Sequence, residues 1–439
     1  MTERNRIPFL FVAMAVLLII VGFLQSWSLS LAILNLCLIS AIMALGVNIQ
    51  WGYAGLVNFG VMGFSAVGGL MAVLISYPPV LEAWQAGGNG IMLSILLTLI
   101  AIAACVIAYR MLPAGRNRQI GLAIILAISF FVIRSVYDPA VNAIESTNAA
   151  STGFLGGFGM PIIISWAIGG LAAAGIAWVM GKITLGLRSD YLAIATLGIS
   201  EIVVAVLKNE DWLNRGVKNV VGLPRPVPFE VNLQQAEWFI NLSSWLGVDI
   251  VEFSSIYVKL CYSLLFVAVL LVILYLSEKA LRSPWGRMMR AIRDNEVSSN
   301  AMGKNITSRH LQVFILGSAV IGIAGAMLTT LDGQFTPTSY QPLRFTFLIW
   351  VMVIVGGSGN NFGAILGGFV IWFFWVEAEP LGIWFMDVIT SGMAADNPLK
   401  LHLIDSAAHM RLIVMGVVLL VVLRFSPRGL IPEKTSHGH

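Results

Sequence analysis

The run IPFLFVAMAVLLIIVGFLQSWSLSLAILNLCLISAIMALGVNI, from Ile7 to Ile49, decides how the rest of the chain is read. It contains no charged side chain. A helix rises ~1.5 Å per residue, and about 20 apolar residues carry it across the hydrocarbon core of a bilayer. The run therefore holds two crossings, Ile7–Gln25 and Ser28–Ile49. Its apolar residues follow one another without the alternation of a lipid-facing strand, a pattern of helices and not of a closed barrel.

The remaining sequence repeats this pattern. Of 439 residues, 58% are hydrophobic and 11% charged, whereas soluble domains carry roughly 25% charged residues. Mean hydropathy is +0.86. Further apolar runs cover Ala54–Tyr77, Ile91–Tyr109, Ile120–Val136, Pro161–Met180, Tyr191–Leu207, Ile256–Leu276, Leu311–Leu331, Phe345–Val355, Phe362–Val376 and Arg411–Leu423. The pair Phe345–Val355 and Phe362–Val376 is short, as two crossings or as a re-entrant hairpin. The expected fold class is all-α, a polytopic transmembrane helix bundle of about 10 spans, within a range of about 10–12. The N-terminal TERNR and the apolar run after it imitate a secretory signal, but no small-x-small cleavage site precedes the next span. A retained first helix is expected.

Lys and Arg mark the cytoplasmic side of membrane proteins. They cluster at Arg4 and Arg6, at Arg110, Arg116 and Arg118, at Lys182 and Arg188, at residues 278–309, and at Arg424, Arg428 and Lys434. The alternate connections are acidic, with Glu82, Asp138, Glu145, Glu210, Asp211, Glu377, Glu379, Asp387 and Asp396. This asymmetry places both termini in the cytoplasm. The expected layout is one transmembrane domain over residues 1–430 and a cytoplasmic tail over 431–439. External segments are expected at 209–255 and 377–410. Cys37, Cys105 and Cys261 lie in apolar runs and read as small hydrophobes, with neither metal-ligand spacing nor a disulfide framework. The nearest approach to a phosphate-binding loop is Gly181-Lys182, followed by Ile183 where Ser or Thr is required. No cofactor is expected on this chain, and nothing points to nucleic acid.

The longest basic connection contains SPWGRMMRAIRDNEVSSNAMGKN, Ser283 to Asn305. Ser283 before Pro284 is a helix N-cap with proline in the first turn. Trp285, Met288, Met289 and Ile292 fall on one helical stripe, and Arg287, Arg290 and Arg293 on another. Asp294 reads as a second N-cap, Glu296 sits in the following first turn where the helix dipole favours an anion, and Gly303 fits just past that helix's end. A solvated loop touching lipid head groups explains the charge. Two capped short helices with apolar stripes suit docking into a groove on a cytoplasmic partner.

Within the membrane, ionisable groups are costly and face cavities or partners. Glu201 lies 11 residues past Asp190, roughly 16 Å deep. With Thr196 and Ser200 it forms a candidate polar stripe, to be weighed against an internal structural pair. Asn58 and Ser65 share a face near Gly55, Gly60 and Gly63 and read either as a pathway wall or as close packing. Asp190 and Tyr191 open the Glu201 helix, where Asp190 suits the helix N-terminus. Gly356-Gly357-Ser358-Gly359-Asn360-Asn361 is too glycine-rich to stay helical. Such backbone is tolerated at membrane depth only inside protein or beside a water-filled cavity. His402, Asp405 and His409 share a helical face but lack a closed zinc ligand set, so an interfacial amphipathic helix is expected and no metal site. Arg134 and Arg344 are expected to snorkel at outer span ends.

Arg290 to Met327, RAIRDNEVSSNAMGKNITSRHLQVFILGSAVIGIAGAM, resembles one permease type of the branched-chain amino acid ABC importers, with Glu296–Gly303 similar to their coupling loop. Gly52–Gly69, Leu187–Val203, Val351–Gly368 and Arg424–Leu430 carry the same resemblance in the same order. Ser298 and Ser299 stand where that family usually has alanine. Asn219–Pro224 matches only part of its glycine-rich external segment. The resemblance implies a second homologous permease, two cytoplasmic ATP-binding subunits that hold ATP-Mg, and a periplasmic solute-binding protein. It implies a coupling role for Arg287, Arg290, Arg293, Asp294, Glu296, Ala301 and Gly303. The pathway candidates are Asn58, Gly60, Ser65, Tyr191, Thr196, Glu201 and Gly357. The implied solute is a branched-chain or other hydrophobic amino acid, with urea and short amides as alternatives within the same importer type. Two other classes are an ion-coupled secondary transporter resting on Glu201 and a membrane scaffold without transport. No covalent catalysis is expected.

Overall fold

A computed structural model of the protein describes residues 3–113, 115–148, 152–393 and 397–433. Asp396, Lys434 and the remainder of the expected tail lie outside the described residues. Fourteen helices matter here: α1 (Glu3–Leu24), α2 (Trp27–Val47), α3 (Val61–Ser76), α4 (Asn89–Met111), α5 (Arg116–Ser146), α6 (Ile162–Thr184), α7 (Ser189–Asn209), α8 (Ile250–Arg282), α9 (Pro284–Asp294), α10 (Glu296–Ala301), α11 (Ile306–Asp332), α12 (Pro342–Gly356), α13 (Asn361–Ile389) and α14 (Met410–Phe425). Among the described residues the only strands are β1 (Val220–Val221) and β2 (Gln334–Phe335), antiparallel with Val220 opposite Phe335. Nine helices of the described residues are long and apolar enough to cross a membrane, and α3 and α12 are shorter apolar helices. The fold is an all-α polytopic bundle.

Its centre is α2, α3, α11, α12 and α13, ringed by α1, α6, α7, α8 and α14. Burial follows position: 78% of the apolar window of α2 is covered, and none of that of α5. The α4–α5 pair packs chiefly on itself at the edge. Lipid is as apolar as leucine, so helices associate through close packing of small residues. Small residues of α11 do this. A Cβ on Gly322 would lie 2.6 Å from the Gly169 carbonyl of α6, and one on Gly325 only 2.0 Å from the Ser65 carbonyl of α3.

Two helix boundaries differ from the sequence reading. The third span starts at Val61 and not at Ala54. Gly55 has φ +71°, a left-handed conformation, and the irregular backbone around it is satisfied by side chains. Asn58 Oδ1 accepts from Gly60 N–H at 2.8 Å, Thr196 Oγ1 accepts from Phe59 N–H at 3.0 Å, and Trp350 Nε1 donates to the Asn58 carbonyl at 3.0 Å. The second is the end of the apolar run Phe362–Val376. Helix α13 continues past Val376 to Ile389 with Pro380 inside it. Glu377 is 4% exposed and accepts from Gln25 Nε2 at 2.8 Å, and Glu379 pairs with Arg411. Two glutamates and a proline imitate a loop, but Arg411 pairs with Glu379 and Gln25 donates to one oxygen of Glu377. The 29 residues of α13 span ~44 Å, so this arm of the expected short hairpin is a full-length helix.

Candidate coupling element and polar face

Ser283 to Asn305 folds as two short helices with a bend, as the caps require. Ser283 Oγ accepts from Gly286 N–H at 3.5 Å, Pro284 opens α9, and Gly303 has φ +76° just past α10. The second N-cap is Asn295 and not Asp294. Asn295 Oδ1 accepts from Ser298 N–H at 2.9 Å, while Asp294 ends α9 and pairs with Arg293 at 3.2 Å. Asn295 has the extended backbone that a cap needs, and Asp294 is still helical.

The apolar stripe of α9 does not wait for a partner. Met289 and Ile292 are fully buried against the chain's own bundle. Helix α10 is the part left free. None of its residues is buried, and Val297 and the adjoining Met302 are 82% and 79% exposed. Glu296, Ala301 and Gly303 are exposed with them. Ser299 Oγ donates to the Ala291 carbonyl at 3.1 Å and ties α10 to α9. The departure from alanine at 299 thus fixes the angle between the two helices.

The three arginines anchor α9. Arg287 donates to the Arg282 carbonyl at 3.2 Å and Arg290 to the Leu281 carbonyl at 3.3 Å. Arg293 donates to the Gly52 carbonyl and forms an ion pair with Glu433 at 2.9 Å. Burial works against the Arg293 cation, but Glu433 and then Asp294 more than compensate and hold its proton more tightly than usual. The C-terminal segment is itself strapped to the α12–α13 turn. Leu430 and Ile431 N–H groups donate to the Val355 and Gly356 carbonyls at 2.8 Å, and Asn360 Nδ2 to the Pro432 carbonyl at 3.1 Å. Arg293 therefore connects α9 to the end of α2 and to this strap.

Gly357 sits in that turn with φ +118°, and an added Cβ would lie 2.2 Å from the Ile431 carbonyl. Gly357→Ala is expected to cost roughly 1–3 kcal/mol. The expected readouts are a lower thermal midpoint of the solubilised chain and faster removal of C-terminal residues by carboxypeptidase.

Behind this region lies a buried polar chain that the sequence reading missed. Asn48 Nδ2 donates to Asn361 Oδ1 at 3.0 Å, and Asn361 Nδ2 to Glu278 Oε1 at 2.9 Å. Gln50 Nε2 donates to the Phe314 carbonyl at 2.9 Å and to Ser318 Oγ at 3.0 Å, while its Oε1 accepts from Asn58 at 2.8 Å. Asn48 and Asn58, amides inside the apolar runs Ser28–Ile49 and Ala54–Tyr77, were the available signal.

The pathway candidates separate into two groups. Asn58, Gly60, Ser65 and Gly357 are buried in protein–protein contacts. Thr196 and Ser200 are also buried, and Ser200 Oγ accepts from Gly63 N–H at 2.8 Å. Glu201 does not share their face. It is exposed in the middle of α7, along a shallow groove with Lys208 and Arg344. Tyr191, Ile194 and Ile202 extend this uncovered face. Arg344 lies over the Trp375 ring at 5.1 Å, and Arg134 pairs with Asp138 at 2.7 Å. His402, Asp405 and His409 are exposed along two short helical segments.

A family model described as "Branched-chain amino acid transport system / permease component" matches residues 144–423. The high-affinity branched-chain amino acid transport system permease protein LivM of Salmonella typhimurium is 28% identical over 279 residues, 62% of this chain and 61% of that protein. Its Escherichia coli counterpart is 27% identical over the same shares. The chain thus spans about three fifths of the length of these two relatives. The probable branched-chain amino acid transport permease protein LivM of Methanocaldococcus jannaschii is 26% identical over 397 residues, 90% of each chain. No solved structure matches the chain. With nearly two thirds of its residues covered by the family model, the chain belongs to the permease components of branched-chain amino acid transport systems.

Proposed function

We propose that this chain is half of the translocation unit of an ATP-driven importer for branched-chain or other hydrophobic amino acids. The observation that carries the proposal is α10, a capped helix with no buried residue, tied to α9 and carrying the exposed apolar Val297, with Met302 just past its end. Apolar side chains left in water on an ordered element mark a docking surface. The arginine-rich end of the bundle faces the cytoplasm, where two ATP-binding subunits engage α10. Their ATP-Mg supplies the energy, and this chain binds no cofactor of its own.

The uncovered α7 face, with Glu201 at its middle, is directed at a second homologous permease. A mid-membrane carboxylate facing lipid is costly, whereas one facing a partner across an aqueous path is satisfied. A periplasmic solute-binding protein delivers the amino acid at the opposite end. The bacterial inner membrane follows from this partner set. Proteoliposomes holding the assembled importer are expected to accumulate labelled leucine only with ATP and binding protein present. Preferential uptake of urea or a short amide would contradict the substrate. Leucine uptake driven by a proton gradient without ATP would contradict the mechanism.

A further inference from the structure

A cavity of about 270 Å³ lies within the bundle, walled by α2, α3, α11, α12, α13 and the residues around β2. Asp332, Gln334 and Ser339 are exposed at its mouth. Its deepest wall is Met43, Met62 and Met352, all buried. Met352 is ten residues along α12, so at ~1.5 Å per residue the cavity reaches about 15 Å along that helix.

Two polar groups of its lining are buried and unsatisfied. Thr336 Oγ1 and Trp372 Nε1 are buried without any hydrogen-bond partner. Among the described residues the Asp332 carboxylate has no hydrogen-bonding or ionic partner. An orphaned buried donor is a cost that native proteins seldom carry without a reason. Here a cation acceptor, an N–H donor and a hydroxyl border an otherwise aliphatic space that includes Leu348 and Ile349.

We infer that this cavity is a binding site for one zwitterionic aliphatic amino acid, contained in this chain alone and separate from the exposed Glu201 face. The inference rests on the reading of the chain as an amino acid permease and adds a place for the solute within it. Asp332 provides the counter-charge for the ammonium group. The Trp372 indole N–H and the Thr336 hydroxyl donate to the carboxylate, and the aliphatic wall takes the side chain. Urea would leave the aliphatic wall uncovered. A lipid acyl chain would leave all three polar groups unmet.

The test uses the full chain in phosphatidylcholine nanodiscs, with Cys37, Cys105 and Cys261 replaced by alanine and a reporter cysteine introduced by Ser339→Cys. Leucine is expected to slow labelling by a water-soluble maleimide about tenfold, and Asp332→Asn is expected to remove this protection. Gln334→Cys serves as a second reporter and is expected to behave alike. Labelling at both positions that leucine leaves unchanged would overturn the inference, as would a phospholipid found in the cavity that leucine does not displace. ATP-driven leucine uptake without protection refutes the site and leaves the transport reading standing. Protection without leucine uptake does the reverse.

Discussion

Ala301→Pro is expected to abolish ATP-driven uptake, by at least about 100-fold, while the bundle inserts and melts as before. The proline removes the Ala301 N–H that bonds to the carbonyl four residues back and pushes Asn300 out of helical geometry. The cost is ~3 kcal/mol. Helix α10 has six residues and buries none of them, so it has no packing energy to offset that loss. Val297 and Met302 then lose their fixed relation to α9. The membrane part is insulated, because no residue of α10 belongs to its core. Uptake in proteoliposomes, read beside the thermal midpoint of the purified chain, checks both halves of the expectation.

The second large effect lies in the bundle. Gly68→Val is expected to prevent recovery of monodisperse protein. A Cβ at Gly68 would lie 1.9 Å from the Gly322 carbonyl oxygen of α11, and this neighbour is backbone that cannot rotate away. Gly322 is itself pressed on Gly169 of α6, so α11 has no room to retreat. Separating α3 from α11 would open a closely packed part of the core. The expected loss exceeds ~4 kcal/mol, a large part of the 5–15 kcal/mol typical of a folded domain. Size-exclusion chromatography of the solubilised variant is the measurement. Gly175→Val, at a position with no atom within 4 Å of the added Cβ, is expected to elute as the parent chain does.

The helices were legible because a bilayer admits only continuous apolar segments with internally bonded backbone. The reading failed where protein takes the place of lipid. Asn58 and Thr196 sustain irregular backbone ahead of α3, and Gln25 and Arg411 let α13 run past Glu377 and Glu379. At the coupling element, capping residues and stripes indicated two helices correctly. Which stripe faces inward was not legible, because the surface that receives Met289 and Ile292 is assembled from distant segments. Glu433, 140 residues from Arg293, gave no local signal. The same holds for Asn48 and Asn361, 313 residues apart. Thr196 and Glu201 looked like one polar stripe, yet five residues on a helix turn ~500°, which puts them about 140° apart. One bonds to its own bundle and the other is left uncovered.

A photoreactive amino acid at position 297 tests the central claim most directly. Irradiation of cells expressing the importer is expected to give one dominant adduct, between this chain and the ATP-binding subunit, which is lost when Ala301→Pro is added. Adducts with lipid alone, or labelling of position 297 from outside the cell, would contradict the account.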